Sequence, residues 1–264
     1  MTTLNIIALG DVVGRPGRRA IRELLPGLRE RSGAGFVVAN AENAAGGSGI
    51  TPDTAKELFD AGCDVLTGGD HFFDQKSVSE LIDKDARLLR PANWSRHAPG
   101  KGFGVFESAG GVKVAVASLM GRVFMNVPSE NPFDAADDLL EVVRKETPVV
   151  VIDFHAEATS EKIALGRYVD GRASLFFGTH THVPTADAHV ERLGTAYVSD
   201  LGMTGPHDSI LGRDYQAVLS KLRSGVPARF QVAKGDVRLQ GVLVTVDTES
   251  GRARAIERVE ERIE

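Results

Sequence analysis

The chain has 264 residues, 42% hydrophobic and 25% charged, with a formal net charge of −5. That balance excludes disordered, collagenous and coiled-coil chains, and it argues against non-specific binding to duplex nucleic acid, which needs dense Lys and Arg. A lone cysteine, Cys63, excludes an internal disulfide framework. No stretch reaches the ~20 apolar residues of a membrane span, and the start of the chain lacks the basic and apolar segments of a secretory leader, so a cytoplasmic protein is expected.

Leu4–Leu9 is a short apolar run that reads as a strand. Arg15–Arg31 after it has helical spacing, with Ile21, Leu24, Leu25 and Leu28 on one face. Phe36–Ala39 is the next strand and leads into the loop 40–50. Thr51-Pro52 reads as an N-cap followed by proline at the first helical position, opening a helix to about Ala61. Val65–Thr67 is a third strand, and a helix is expected over 76–84. Gly104–Glu107 and Val112–Ser118 read as a hairpin turning at 108–111. Val149–Asp153, apolar up to its closing Asp, and Leu175–Phe177 read as buried parallel strands. Phe230–Ala233 and Val237–Val246 read as a late antiparallel pair, 199–212 as a loop, and Ala253–Glu260 as an edge strand. The expectation is an α/β fold of two facing sheets covered by helices, in a single domain over 1–264.

The chemistry sits where these strands end, which is where ligands bind in open α/β sheets. The five strands deliver Gly10-Asp11, Asn40-Ala41-Glu42-Asn43, Gly68-Gly69-Asp70-His71, Phe154-His155 and Gly178-Thr179-His180-Thr181-His182 in turn. One strand-end Asp often only caps a turn. Five such ends in series, closing on an H-x-H pair, are hard to explain by capping. Carboxylate oxygen together with neutral imidazole suits Fe, Mn or Zn, and without cysteine ligands neither a zinc finger nor an iron–sulfur cluster fits. Asp11, Glu42, Asp70, His155, His180 and His182 are too many ligands for one catalytic ion that keeps an open position. They suit two ions ~3.5–4 Å apart.

In this order the residues resemble the calcineurin-like metallophosphoesterase superfamily, and more closely its bacterial YmdB-like branch, which is similar to phosphodiesterases of small cyclic nucleotides. The likeness spans nearly the whole chain. It includes Gly10-Asp11-Val12-Val13-Gly14, Ala39-Asn40-Ala41-Glu42-Asn43, Arg90-Pro91-Ala92-Asn93, Gly121-Arg122-Val123-Phe124-Met125 and the run from His155 to Lys162. It continues through Gly178–Val183 and Asp200–Pro206. The resemblance implies a four-layer α/β/β/α sandwich of two facing mixed sheets. It also implies a first metal held by Asp11, Glu42 and His182 with Asn43 nearby, and a second held by Glu42, Asp70, His155 and His180, with Glu42 bridging. The implied reaction is attack on a small phosphodiester or nucleotide by a metal-bridging hydroxide. His71 resembles the general acid that protonates the leaving alkoxide, and Asn43 can also donate its amide to a phosphate oxygen.

Two departures matter. The superfamily opens with Asp-x-His, whereas Val12 and Val13 follow Asp11, and Asn43 can make up for the missing imidazole. The family also has Asn in a Gly-Asn-His motif where Asp70 stands. Two divalent ions give +4; Asp11, Glu42, Asp70 and a hydroxide give −4, so the centre is neutral where an Asn leaves +1. Because the ions dominate the charge of such a site, this favours Fe or Mn over Zn. A phosphomonoesterase or nucleotidase, and a non-catalytic nucleotide-sensing partner in RNA processing, remain as alternatives, and a homo-oligomer stays open. Arg15, Arg18, Arg19 and Arg22 read as a solvated helix face, His97, His189 and His207 as structural, and Phe72, Phe73, Trp94 and Cys63 as core.

Overall fold

In the computed structural model, which describes residues 2–264, the first apolar run becomes β1 (Thr3–Leu9) and passes through Gly10 into β2 (Asp11–Val12). Helix α1 (Gly14–Ser32) buries Ile21, Leu25 and Leu28 and stops at Gly33, whose φ of 60° is the left-handed cap a residue without Cβ supplies most easily. Next come β3 (Phe36–Asn40) and α2 (Pro52–Asp60). The side chains of Thr51 and Thr54 exchange bonds with each other's backbone N–H, so α2 starts where its cap predicts.

After β4 (Val65–Thr67) the expected helix over 76–84 is only a 3₁₀ turn, Lys76–Glu80. Its cap position, Gln75, donates its amide to Ser48 O instead of capping, and Ser77 and Ser79 are weak helix formers. Then follow β5 (Leu88–Leu89), the expected hairpin of β6 (Phe103–Glu107) and β7 (Lys113–Met120), α3 (Pro132–Val143), β8 (Val150–His155), α4 (Thr159–Tyr168) and β9 (Leu175–Thr179). The remaining elements are β10 (His189–Val190), β11 (Ala196–Val198), β12 (Met203–Asp208), α5 (Tyr215–Ser224), β13 (Gly235–Asp247) and β14 (Ala253–Arg262). Helix α4 escaped the sequence reading because it buries Glu161 and Lys162 beside Leu165 and so lacks an apolar stripe. The loop expected over 199–212 contains β12.

One sheet runs β2-β12-β13-β1-β3-β4-β5, with β14 on β13; the other runs β10-β11-β9-β8-β7-β6. Strands β1, β3, β4 and β5 are mutually parallel, as are β11, β9, β8 and β7, while β13 and β6 run against their neighbours, so both sheets are mixed. The late pair forms with other members than expected. Strands β1, β12 and β14 occupy the edges of β13, so Phe230–Ala233 has no ladder to join and contributes one bridge, Val232 to Arg213. Among the described residues β14 pairs only with β13, and it is the edge strand expected.

Alternation along the strands sorts their side chains into layers. Ile6 and Ala8 of β1 pack with Phe36 and Val38 against Val116, Val151 and Phe177 of the facing sheet. Ile7 and Leu9 turn the other way, onto Ile21, Leu25 and Leu58 of α1 and α2, and Ile152 and Phe154 meet Leu139, Leu140 and Leu165 of α3 and α4. The result is the expected α/β/β/α order. Cys63 is core, and burial pushes its thiol up to about 12. Arg18 is not on a solvated face: it is half-buried and ties α1 to Glu57 of α2 and to Ala44 O, whereas Arg19 and Arg22 are exposed. Phe72, Phe73 and Trp94 stack edge-to-face as a packed series. Among the described residues no helix is long and apolar enough to cross a membrane.

Candidate metal centre

The carboxyl ends of β1, β3 and β4 in one sheet meet those of β8 and β9 in the other, and every predicted ligand arrives there. Glu42, Asp70, His155 and His180 bring ligand atoms within 4.8 Å of one another. His155 Nε2 lies 2.9 Å from Asp70 Oδ1, 3.2 Å from Glu42 Oε1 and 3.0 Å from His180 Nδ1. Asp11, His182 and Asn43 stand beside this group. His182 Nε2 is 3.7 Å from Asp11 Oδ1 and 3.3 Å from the Asn43 amide, which donates to Glu42 Oε1 at 3.0 Å. Glu42 therefore touches both groups.

Close backbone approach makes this convergence possible. A Cβ on Gly69 would collide with the His155 ring and with Glu42 Oε2, and one on Gly178 with Ser199 O. The H-x-H segment is not extended: His180 and His182 have φ of 99° and 65°. Their rings therefore go to different neighbours.

Residues the sequence reading did not single out aim the ligands. Thr179 Oγ1 donates to Asp153 Oδ1 at 2.7 Å, so it accepts from His155 Nδ1 at 2.9 Å, and Nε2 is the ring nitrogen turned to the centre. Asp153 also accepts from Thr67 and from the Asn40 amide at 2.9 Å. Burial pushes the Asp153 carboxyl up to about 6 against those bonds. On the other side Glu157 Oε2 sits 3.1 Å from His180 Nε2, which turns Nδ1 toward Asp70 and His155. An Asp inside β8, apolar but for His155 at its end, is the one sequence signal that could have pointed to Asp153. Nothing local marked Glu157.

The electrostatics ask for a cation. Burial disfavours charging His155, yet Glu42, Asp70 and Asp11 outweigh it and hold the imidazole well above its ordinary value. Burial likewise pushes Asp70 up, but hydrogen bonds from His155 and His180 hold it well below the carboxylate range. Asp11 is raised by burial, with His182 and His155 opposing. Its Oδ1 is buried and accepts no hydrogen bond among the described residues, although two imidazoles stand within 4 Å. An orphaned carboxylate oxygen among imidazoles fits a divalent metal better than any partner in the chain.

His71 lies at the rim, 43% exposed. Its Nδ1 is 2.9 Å from Asp74 Oδ2, its Nε2 3.9 Å from Asp70 Oδ2, and its backbone N–H donates to Glu42 Oε2. His97 and His189 are engaged elsewhere. His207 hydrogen-bonds Gly205 O through Nδ1.

Residues 7–259 match the model of the family described as YmdB-like protein. The chain is 45% identical over 256 residues to the 2′,3′-cyclic-nucleotide 2′-phosphodiesterase of Bacillus subtilis, covering 97% of this chain and 96% of that one. A novel phosphatase from Mycoplasma pneumoniae superposes with a TM-score of 0.92 at 32% identity, covering 99% and 94% of the two chains. A hypothetical protein from Thermus thermophilus gives 0.91 at 40% identity, covering 98% and 99%.

Proposed function

This chain belongs to the YmdB-like protein family, and from that premise we propose that it is a cytoplasmic, single-domain phosphodiesterase working with two metal ions on cyclic nucleotides (2′,3′- or 3′,5′-cyclic monophosphates) or a related phosphodiester. The observation that carries the reading is the division of the ligands. Asp11, His182 and Asn43 stand on one side of Glu42, and Asp70, His155 and His180 on the other. Two bound ions, Fe or Mn favoured over Zn, would supply Lewis acidity and an activated water at the phosphorus.

The chain's own residues do the rest. Asp11, Glu42, Asp70 and the three imidazoles would hold the ions. Asn43 presents its amide toward a phosphate oxygen. His71, its Nδ1 held by Asp74, delivers a proton to the departing alkoxide; imidazole is the side chain suited to that exchange near neutral pH.

The metal-loaded protein, with Mn or Fe, should turn over bis-p-nitrophenyl phosphate well ahead of p-nitrophenyl phosphate, and should open 2′,3′-cyclic AMP. Turnover of the monoester alone would make it a phosphomonoesterase. Nucleotide binding without turnover in a fully metallated sample would make it a sensor. The charge of Asp70 gives a second expectation: Asp70→Asn raises the centre by one unit and should shift metal preference toward Zn. An unchanged metal content and activity profile would sink the charge argument.

A further inference from the structure

Lys162 and Asp200 form an ion pair that no step above uses. Both are 1% exposed, and Lys162 Nζ lies 2.7 Å from Asp200 Oδ2. Desolvation largely offsets the attraction within such a pair, so it is weak evidence of stability by itself. Asp200 is also a hub of hydrogen bonds. Its Oδ2 accepts from the N–H of Thr181 at 3.2 Å and from the Thr181 hydroxyl at 2.8 Å, while Oδ1 accepts from Gly202 N–H at 2.8 Å. Thr181 is the residue between His180 and His182.

Those two histidines have positive φ, a region that side chains with a Cβ rarely adopt and that persists where the surroundings over-determine it. On extended backbone, residues two apart share a face, and both rings would go to one side. Here His180 Nδ1 turns to His155 and Asp70, and His182 Nε2 to Asp11 and Asn43. The bonds that hold this course are His180 N–H to Asp11 Oδ2 at 3.1 Å and the two from Thr181 to Asp200.

We propose that the Lys162–Asp200 pair, acting through Thr181, is the positioning device that divides His180 and His182 between two metal positions and so sets the affinity of both. The inference rests on the two-metal reading above. Lys162 cancels the charge of Asp200, so that Asp200 can accept hydrogen bonds next to the centre without adding a fourth carboxylate to it.

The test titrates metal-free protein with Mn(II) and follows free Mn(II) by its electron paramagnetic resonance signal. Thr181→Val keeps the volume and the N–H bond and removes only the hydroxyl; it should weaken Mn(II) binding by ~10–100-fold, the range that partners of metal ligands command. Thr181→Ser restores the hydroxyl and should restore the affinity. Asp200→Asn, with circular dichroism confirming the fold, should lose at least as much as Thr181→Val. Wild-type affinity in Thr181→Val, or failure of Thr181→Ser to rescue a weakened site, would overturn the proposal; the threonine pair decides the matter even if Asp200→Asn does not fold. A wild-type protein that takes up no Mn(II) would instead overturn the metal reading itself.

Discussion

Glu42→Gln should remove more activity than a change to any partner outside the coordination sphere, with kcat/KM falling by more than the ~10–100-fold such partners cost. Glu42 is 1% exposed and stands between the two ligand groups. Its Oε1 accepts from the Asn43 amide and lies 3.2 Å from His155 Nε2, and its Oε2 accepts the His71 N–H at 3.2 Å. An amide in its place removes one negative charge from a site in which bound ions would dominate the local field. It also turns an NH2 toward one of two donors, Asn43 or His71, so a buried donor goes unpaired. The shape is kept, so the protein should fold. Metal analysis should find less metal overall, because Glu42 is assigned to both ions. A variant that keeps two equivalents and the parent rate would remove Glu42 from the centre.

The second large effect is selective. His71→Ala should keep its metal, because the bond His71 makes to Glu42 is from its backbone N–H, which the variant retains, and its ring stands 3.9 Å from Asp70. It should lose ~10²–10⁴-fold in kcat on nucleotides, whose alkoxide leaving groups need a proton, the range general acids supply. Bis-p-nitrophenyl phosphate, whose leaving group departs as a stable anion, should be nearly spared. A plot of log kcat against leaving-group pKa should therefore steepen in the variant. A uniform loss across leaving groups would make His71 an orienter, acting through its contacts to Asp74 and Asp70.

Much of this was legible along the chain. The alternation of Ile6 and Ala8 with Ile7 and Leu9 assigns β1 two buried faces, which a strand in a middle layer needs. The Thr51-Pro52 start of α2 lay within four residues, because a cap is a local hydrogen bond. Where the reading missed, local signals were overruled. Helix α4 puts Glu161 and Lys162 inward because Glu161 accepts the backbone N–H groups of Arg122 and Val123 and Lys162 pairs with Asp200. Partners 38 residues or more away on the chain leave no trace in helical periodicity.

By itself, then, the sequence determined the α/β class, the strand ends that carry the candidate site and the donor types found there. These properties are written within a few residues of each strand. The tertiary structure alone decided which donors face one another: that His155 offers Nε2 because Thr179 and Asp153 occupy its other nitrogen, and that Glu157 turns His180 through Nδ1. It also decided that His180 and His182 part company. A ring's direction follows from φ and from a hydrogen bond on its far nitrogen, and here the bonds along the H-x-H turn run to Asp11, Asp200, Glu157 and Leu211 O, which only folding brings there.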